Sequence, residues 1–171
     1  MPRSTIEAHT DALVVAYIGL GANLGDAAAT VSAAIDAVTR LPRTELTRRS
    51  PLYRSAPVDA TGPDYINAVI AVTTGLAPLE LMSHLHAIER AHGRERPYRN
   101  APRSLDLDLL LYGDRVIDSA QLHVPHPRMH LRGFVLRPLN DISPNIVIPG
   151  HGPAALLLAR LVDQALTRLD T

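Results

Sequence analysis

Apolar positions along this chain switch repeatedly between a period of two and a period near 3.6. Val14 to Leu20 is an almost unbroken apolar run, the pattern of a strand buried on both faces. It leads into Gly19 to Gly25, which reads as a tight strand-to-helix turn with Asn23 bonding backbone. From Asp26, an N-cap residue, Val31, Ile35, Val38 and Leu41 recur at helical spacing up to Pro42. Thr44 to Arg54 predicts a second strand, interrupted at Pro51 and so suited to a sheet edge. Ser55 to Asp64, with Pro57, Gly62 and Pro63, predicts a loop. Tyr65 to Thr74 predicts a β-branched, apolar strand in which Tyr65, Asn67, Val69 and Ala71 share one face. A helix follows from Pro78, with Leu81, Leu85 and Ile88 on its stripe and Gly93 as its stop. Leu105 to Tyr112 is the next strand.

This order, β-α-β-β-α-β, predicts an α+β fold with a ferredoxin-like core: a four-stranded sheet carrying both helices on one face. Beyond Gly113 the chain is rich in His, Pro and Arg, with a short apolar piece at Phe134 to Leu139. Ile146 to Ile148 predicts a minor strand, and Pro153 to Leu169 an added C-terminal helix. At 171 residues and 46% hydrophobic content, a single domain over 12–169 is expected. Residues 1–11 are expected to form a flexible N-terminal extension.

The chemistry concentrates in one stretch, Arg103-Ser104-Leu105-Asp106-Leu107-Asp108-Leu109-Leu110-Leu111. In a strand the two aspartates share a face while Leu105, Leu107 and Leu109 take the other. Their Cα atoms stand about 6.5 Å apart. Two bare charges at that range repel by roughly 2.5 kcal/mol at an effective dielectric of 20, so cations are expected between the oxygens. An amphipathic strand with one wet face would also alternate Asp with Leu, but Leu109 to Leu111 continue apolar on both faces. Just upstream, Arg94, Arg96, Arg99 and Arg103 face only Glu95, an excess of three positive charges in a chain of net charge zero. Carboxylates beside arginines point to Mg²⁺ holding a polyphosphate. All 17 Lys+Arg residues are arginine, which removes lysine Schiff-base chemistry and the Walker A lysine. The Gly19 to Gly25 segment matches neither G-x-G-x-x-G nor G-x-x-x-x-G-K.

With no cysteine among the residues, disulfides and thiolate-held metals are excluded. The eight histidines raise the question of zinc, and His126 and His130 would be four apart on a helix. His126, in Val124-Pro125-His126-Pro127-Arg128, better suits a hydrogen bond to phosphate. His84, His92 and His151 read as surface residues. Phe134 is the only phenylalanine. An amide at Asn67 beside the rings of Tyr65 and Phe134 suits a flat heterocycle with donor and acceptor edges. Zero net charge and a polar N-terminus predict a cytoplasmic protein that binds neither nucleic acid nor membrane, and a monomer is expected.

These motifs, R-x-x-P-R-S-L-D-L-D-L-L-L followed by V-P-H and L-R-G-F-V-L, resemble those of the 6-hydroxymethyl-7,8-dihydropterin pyrophosphokinase family, from about Val15 to Pro149. The resemblance implies transfer of pyrophosphate from ATP to the pterin hydroxymethyl group with release of AMP, using two Mg²⁺ ions. It implies metal ligation by Asp106 and Asp108, and catalytic roles for these two with Arg94, Arg103 and Arg132. It places Glu89, Arg94, Arg96, Arg103, Leu109, His126 and Arg132 against ATP. Ser55, Pro57, Val58, Tyr65, Asn67 and Phe134 would hold the pterin. Three positions depart from the family pattern: Asn100 stands where some members have tryptophan, Pro127 where others have tyrosine, and His86 where glutamine occurs. Two other readings share part of the chemistry: a Mg²⁺-dependent nucleotide hydrolase, and an RNA-binding ferredoxin-like module. The second lacks its aromatics, since Ala68, Ile70 and Val72 occupy the central strand.

Overall fold

A computed structural model describes residues 12–57, 62–92 and 105–170. The fold is mixed α/β, built on an antiparallel sheet. Strand β1 (Val14–Ala22) leads through a turn to helix α1 (Ala27–Thr39). The turn uses Gly25 at φ +59°, where a side chain would be strained. Asp26 caps the helix as expected, its carboxylate accepting from the Ala29 N–H at 3.1 Å. β2 (Thr44–Arg49), β3 (Tyr53–Ser55), β4 (Tyr65–Thr74), α2 (Pro78–His92) and β5 (Asp106–Tyr112) follow.

The stretch expected as one strand over 44–54 is therefore two. Pro51 has no N–H to give to a ladder. Across the break Ser50 keeps β4 satisfied, its backbone N–H donating to Val69 O and its Oγ accepting from Val69 N. Both pieces pair with β4.

Beyond β5 come short strands β6 (Ile117–Asp118) and β7 (His123–Val124), a 3₁₀ turn at Met129–Leu131, and α3 (Gly133–Ile142). The apolar piece at Phe134 to Leu139 is thus the middle of a helix. Then come β8 (Val147–Ile148), β9 (Gly152–Pro153), α4 (Ala154–Ala159) and β10 (Leu166–Arg168). The minor strand at 146–148 is present, paired with β9. The expected C-terminal helix is corrected: it stops at Ala159, and the chain returns extended to pair with β3.

The main sheet runs β10-β3-β4-β1-β5, with β2 also on β4. One face packs Ile18, Ile70 and Leu107 against Ile35 of α1 and Leu81 and Leu85 of α2. The opposite face packs Val69, Ala71 and Leu111 against Leu136 and Leu139 of α3 and Leu157 of α4. A register shift opposite Tyr17 and Ile18 leaves Leu110 as an extra residue on β5, and both Leu110 and Leu111 pack on the α3 side. The bulge thus turns two successive leucines to the same face, where plain alternation would have sent them to opposite ones. Among the described residues no helix is long and apolar enough to cross a membrane.

Candidate active site

The sheet face that carries α3 is left uncovered at one end, where β1 has glycines. Gly19 and Gly21 have no side chain to fill the space above the strand. A Cβ on Gly21 would lie 3.3 Å from Asn67 Oδ1, and one on Gly19 would lie 3.4 Å from the Leu110 methyls. The register places Asn67, Gly21 and Asp106 in one row across three strands, and Val69, Gly19 and Asp108 in the next. At about 4.8 Å between strands, the first row runs roughly 10 Å from amide to carboxylate. Above this floor is a cavity of about 230 Å³. Ser55, Tyr65 and Asn67 line one wall; Asp106 and Asp108 lie opposite; Arg132, Phe134 and Val135 at the start of α3 close the third side.

The polar groups are held from behind. Asn67, 3% exposed, donates through Nδ2 to Ser55 Oγ at 2.7 Å and to the Tyr53 carbonyl at 3.4 Å. Its acceptor, Oδ1, is what remains beside Gly21. The Arg132 guanidinium lies 5.5 Å from the centre of the Phe134 ring, so charge and ring stand together at one rim of the cavity.

Asp108 has a histidine beside it, with His126 Nε2 at 4.0 Å from Oδ1. His126 Nδ1 accepts from the Arg128 N–H at 3.1 Å. In the neutral ring the proton is therefore on Nε2, toward the cavity. Burial pushes the His126 pKa down and Arg132 and Arg128 add to that, while Asp108 opposes it. Glu89, on α2, accepts at Oε1 from the Leu107 N–H at 2.7 Å. β5 is an edge strand, so Glu89 satisfies an otherwise unpaired donor between the two aspartates. Burial raises the Glu89 pKa, with Asp106 and Asp108 adding to it and the Leu107 bond and His86 acting against it.

Among the described residues no group of three or more His, Cys, Asp or Glu converges. The donors at the cavity are the two carboxylates, which suits Mg²⁺, an ion that takes one or two carboxylates and completes its shell with water and phosphate oxygens.

The sequence model of a protein family described as 7,8-dihydro-6-hydroxymethylpterin-pyrophosphokinase (HPPK) matches residues 17–144. The chain belongs to the HPPK family. It is 44% identical over 154 residues to the 2-amino-4-hydroxy-6-hydroxymethyldihydropteridine pyrophosphokinase of Pseudomonas aeruginosa, covering 90% of this chain and 95% of that protein. The Haemophilus influenzae protein of the same name is 38% identical over 159 residues, covering 92% and 99%. A crystal structure of Plasmodium falciparum HPPK-DHPS, wild type with pteroate, superposes with a TM-score of 0.71 at 14% identity over 88% of this chain. The chain spans 43% of that longer one, and at this identity the likeness is one of fold. HPPK proteins are pyrophosphokinases, ATP-dependent diphosphotransferases.

Of the residues that the HPPK resemblance singles out, seven lie around one cavity: Ser55, Tyr65, Asn67, Asp106, Asp108, Arg132 and Phe134. His126 reaches it through Asp108. Pro57 is half-buried and not part of the lining. The Leu109 side chain faces away, in the core beneath α1 and α2, and the Glu89 carboxylate is engaged at the open edge of β5 by the Leu107 N–H. Val58, Arg94, Arg96, Arg99, Asn100 and Arg103 lie outside the described residues.

The sequence reading missed Gly19 and Gly21, which it placed in a turn, whereas β1 continues to Ala22. Asn23 does bond backbone, but at long range, to Pro63 O. The available signal was their spacing of two within an apolar strand, which puts both on one face. His130 stacks on His151, ring centres 3.8 Å apart, while His126 stands against Asp108, so the two histidines engage different partners.

Proposed function

We propose that this cavity is where the family's reaction takes place, with the pterin between Tyr65 and Phe134 and the triphosphate across Asp106 and Asp108. The chain is an ATP-dependent diphosphotransferase that moves pyrophosphate from ATP to the hydroxymethyl group of 6-hydroxymethyl-7,8-dihydropterin, a step of folate biosynthesis. The observation that carries the placement is the Asn67-Gly21-Asp106 row. It sets a hydrogen-bond acceptor and a carboxylate on either side of a flat glycine floor, about the length of a bicyclic ring with its substituent.

Asn67 Oδ1 accepts from the N–H edge of the pterin, because Nδ2 is already committed to Ser55 and Tyr53. Tyr65 and Phe134 flank the ring faces. Asp106 and Asp108 fit two Mg²⁺ ions, hard cations taken by half-exposed carboxylates that share a face. Such ions neutralise phosphate charge and acidify a bound hydroxyl. The hydroxymethyl oxygen bonds to the β-phosphorus as the bond from that phosphorus to the AMP oxygen breaks. Its proton goes to an aspartate carboxylate or to solvent. Arg132 and the Nε2–H of His126 offset charge on the transferred group, and Arg94, Arg96 and Arg103 grip the nucleotide, with Glu89 securing the edge of β5 beside them and Ser55 and Val58 completing the pterin contacts.

The β-α-β-β-α-β core is ferredoxin-like, a reading supported by the β5-β1-β4-β2 strand order and by α1 and α2 packing on one face. The chain works as one domain over 12–169, as a cytoplasmic monomer. Incubation with MgATP and 6-hydroxymethyl-7,8-dihydropterin, followed by identification of the nucleotide product, tests the proposal. AMP is expected, and only when pterin is present. ADP, or release without pterin, would overturn it.

A further inference from the structure

The start of α3 carries Arg132 and Phe134 into the cavity, yet it lacks a cap of its own. Arg132 occupies the N-cap position with extended backbone and makes no side-chain cap bond. The first helical N–H, that of Gly133, is one of the donors that a helix leaves unpaired. A residue far along the chain satisfies it: Gln164 Oε1 accepts from Gly133 N at 2.6 Å. The same amide donates from Nε2 to Leu131 O at 2.9 Å. One side chain thus bridges the peptide groups on either side of Arg132 and fixes the backbone from which that guanidinium, and the Phe134 ring two residues on, enter the cavity. The fit is close, since a Cβ on Gly133 would stand 3.1 Å from Gln164 Oε1.

The segment that follows holds the other wall. Leu166 pairs with Ser55 and Arg168 with Tyr53, and the Leu169 N–H donates to Leu52 O at 2.9 Å. Ser55 Oγ and Tyr53 O are the two acceptors that orient Asn67. The stretch from Gln164 to Leu169 is therefore a strap that ties the amide wall to the Arg132-Phe134 wall across the back of the cavity. It lies beyond residues 17–144, the part matched by the family model.

We propose that Gln164 is a positioning residue for pterin binding, setting the Arg132-Phe134 wall relative to the Asn67 wall through its two backbone bonds. The inference rests on the placement of the pterin in this cavity. Gln164 touches no substrate; it acts through Leu131 and Gly133.

Calorimetric titration of 6-hydroxymethylpterin into protein saturated with Mg²⁺ and a non-hydrolysable ATP analogue tests it, with Tyr65→Ala as a control on the cavity itself. Gln164→Ala is expected to weaken pterin binding about tenfold, the loss of two modest hydrogen bonds, and to weaken ATP-analogue binding by clearly less, since Arg132 is one of several groups on the triphosphate. Gln164→Glu should fall between, since it keeps an acceptor for Gly133 but, ionised, offers no donor to Leu131. A role in stability alone would lower the melting temperature and the number of competent sites while leaving the pterin Kd unchanged, and that result overturns the proposal. Equal loss of both ligands in Gln164→Ala would overturn it too. If Tyr65→Ala weakens pterin binding and Gln164→Ala does not, the strap role falls while the cavity assignment stands. If neither does, the cavity assignment itself falls and takes the proposal with it.

Discussion

Asp108 shows how a residue can be costly to the fold and needed by the reaction. Two carboxylates on one strand face repel, by roughly 2.5 kcal/mol at an effective dielectric of 20 and less where water screens them. Asp108→Asn removes that repulsion, so it should melt no lower than the unsubstituted protein. It also removes half of the proposed cation site, and AMP formation should drop on the order of a thousandfold; a variant retaining a tenth of normal turnover would refute the ligand assignment. Gly21→Ala argues from the opposite side. Alanine suits a strand better than glycine by about 0.5–1 kcal/mol, yet its methyl would sit 3.3 Å from Asn67 Oδ1, on the acceptor proposed for the pterin. Pterin affinity is expected to fall about tenfold with no loss of thermal stability, read by calorimetry and melting side by side.

Tyr53, beneath that wall, donates its hydroxyl to Asp141 Oδ2. Burial first, then this carboxylate, push its pKa up to about 12. An unfolded tyrosine ionises near 10, so the neutral phenol favours the folded state, and that contribution, whole below pH 10, is lost as pH rises toward 12. An ultraviolet titration of tyrosinate should contain a group ionising near pH 12 that is absent in Tyr53→Phe. An unchanged curve in that variant would contradict the assignment.

At the level of elements, the Asp26 cap on α1 offers a clean measurement. Its carboxylate takes one of the four unpaired N–H groups of the helix start, so Asp26→Ala should cost about 1 kcal/mol, seen as a lower urea midpoint with the same slope. That cap was legible in the sequence because capping is local. So were β1, α1, β4, α2 and β5, whose boundaries follow from period, proline and glycine within a few residues of each other. The aspartate pair was legible for the same reason, since alternation alone puts Asp106 and Asp108 on one face. What depends on partners far along the chain was not. Ala154 to Leu169 has apolar residues at helical spacing, but β3 offered an open edge, and pairing Leu166 with Ser55 closes more of the sheet than a longer helix would. Gln164 carries no local sign that its partners are Leu131 and Gly133. The glycines were misassigned because glycine usually marks a turn. Their use as a floor appears only once Asn67 and Asp106 are seen across β1 from one another.

For the whole molecule, charge sets the last expectation. Net charge is zero, so no long-range field draws a nucleotide in, and attraction must come from cations placed near the site. The chain has no lysine among its 17 basic residues, which leaves guanidinium groups as the only side-chain cations of fixed charge. Arg132 lines the cavity, and Arg128 lies close enough to depress the His126 pKa. The proposed grip on the triphosphate is therefore wholly arginine and histidine, and reagents that tell amines from guanidiniums can separate it from any other source of binding. An amine-directed succinimidyl ester should leave AMP formation unchanged, because no side-chain amine exists to be lost. An arginine-directed dicarbonyl should abolish it, with protection by Mg²⁺ and a non-hydrolysable ATP analogue, and mass spectrometry should find the protected adducts on Arg132 and within 94–103. Inactivation that the analogue does not slow, or protection confined to arginines remote from the cavity, would place the nucleotide elsewhere on the protein.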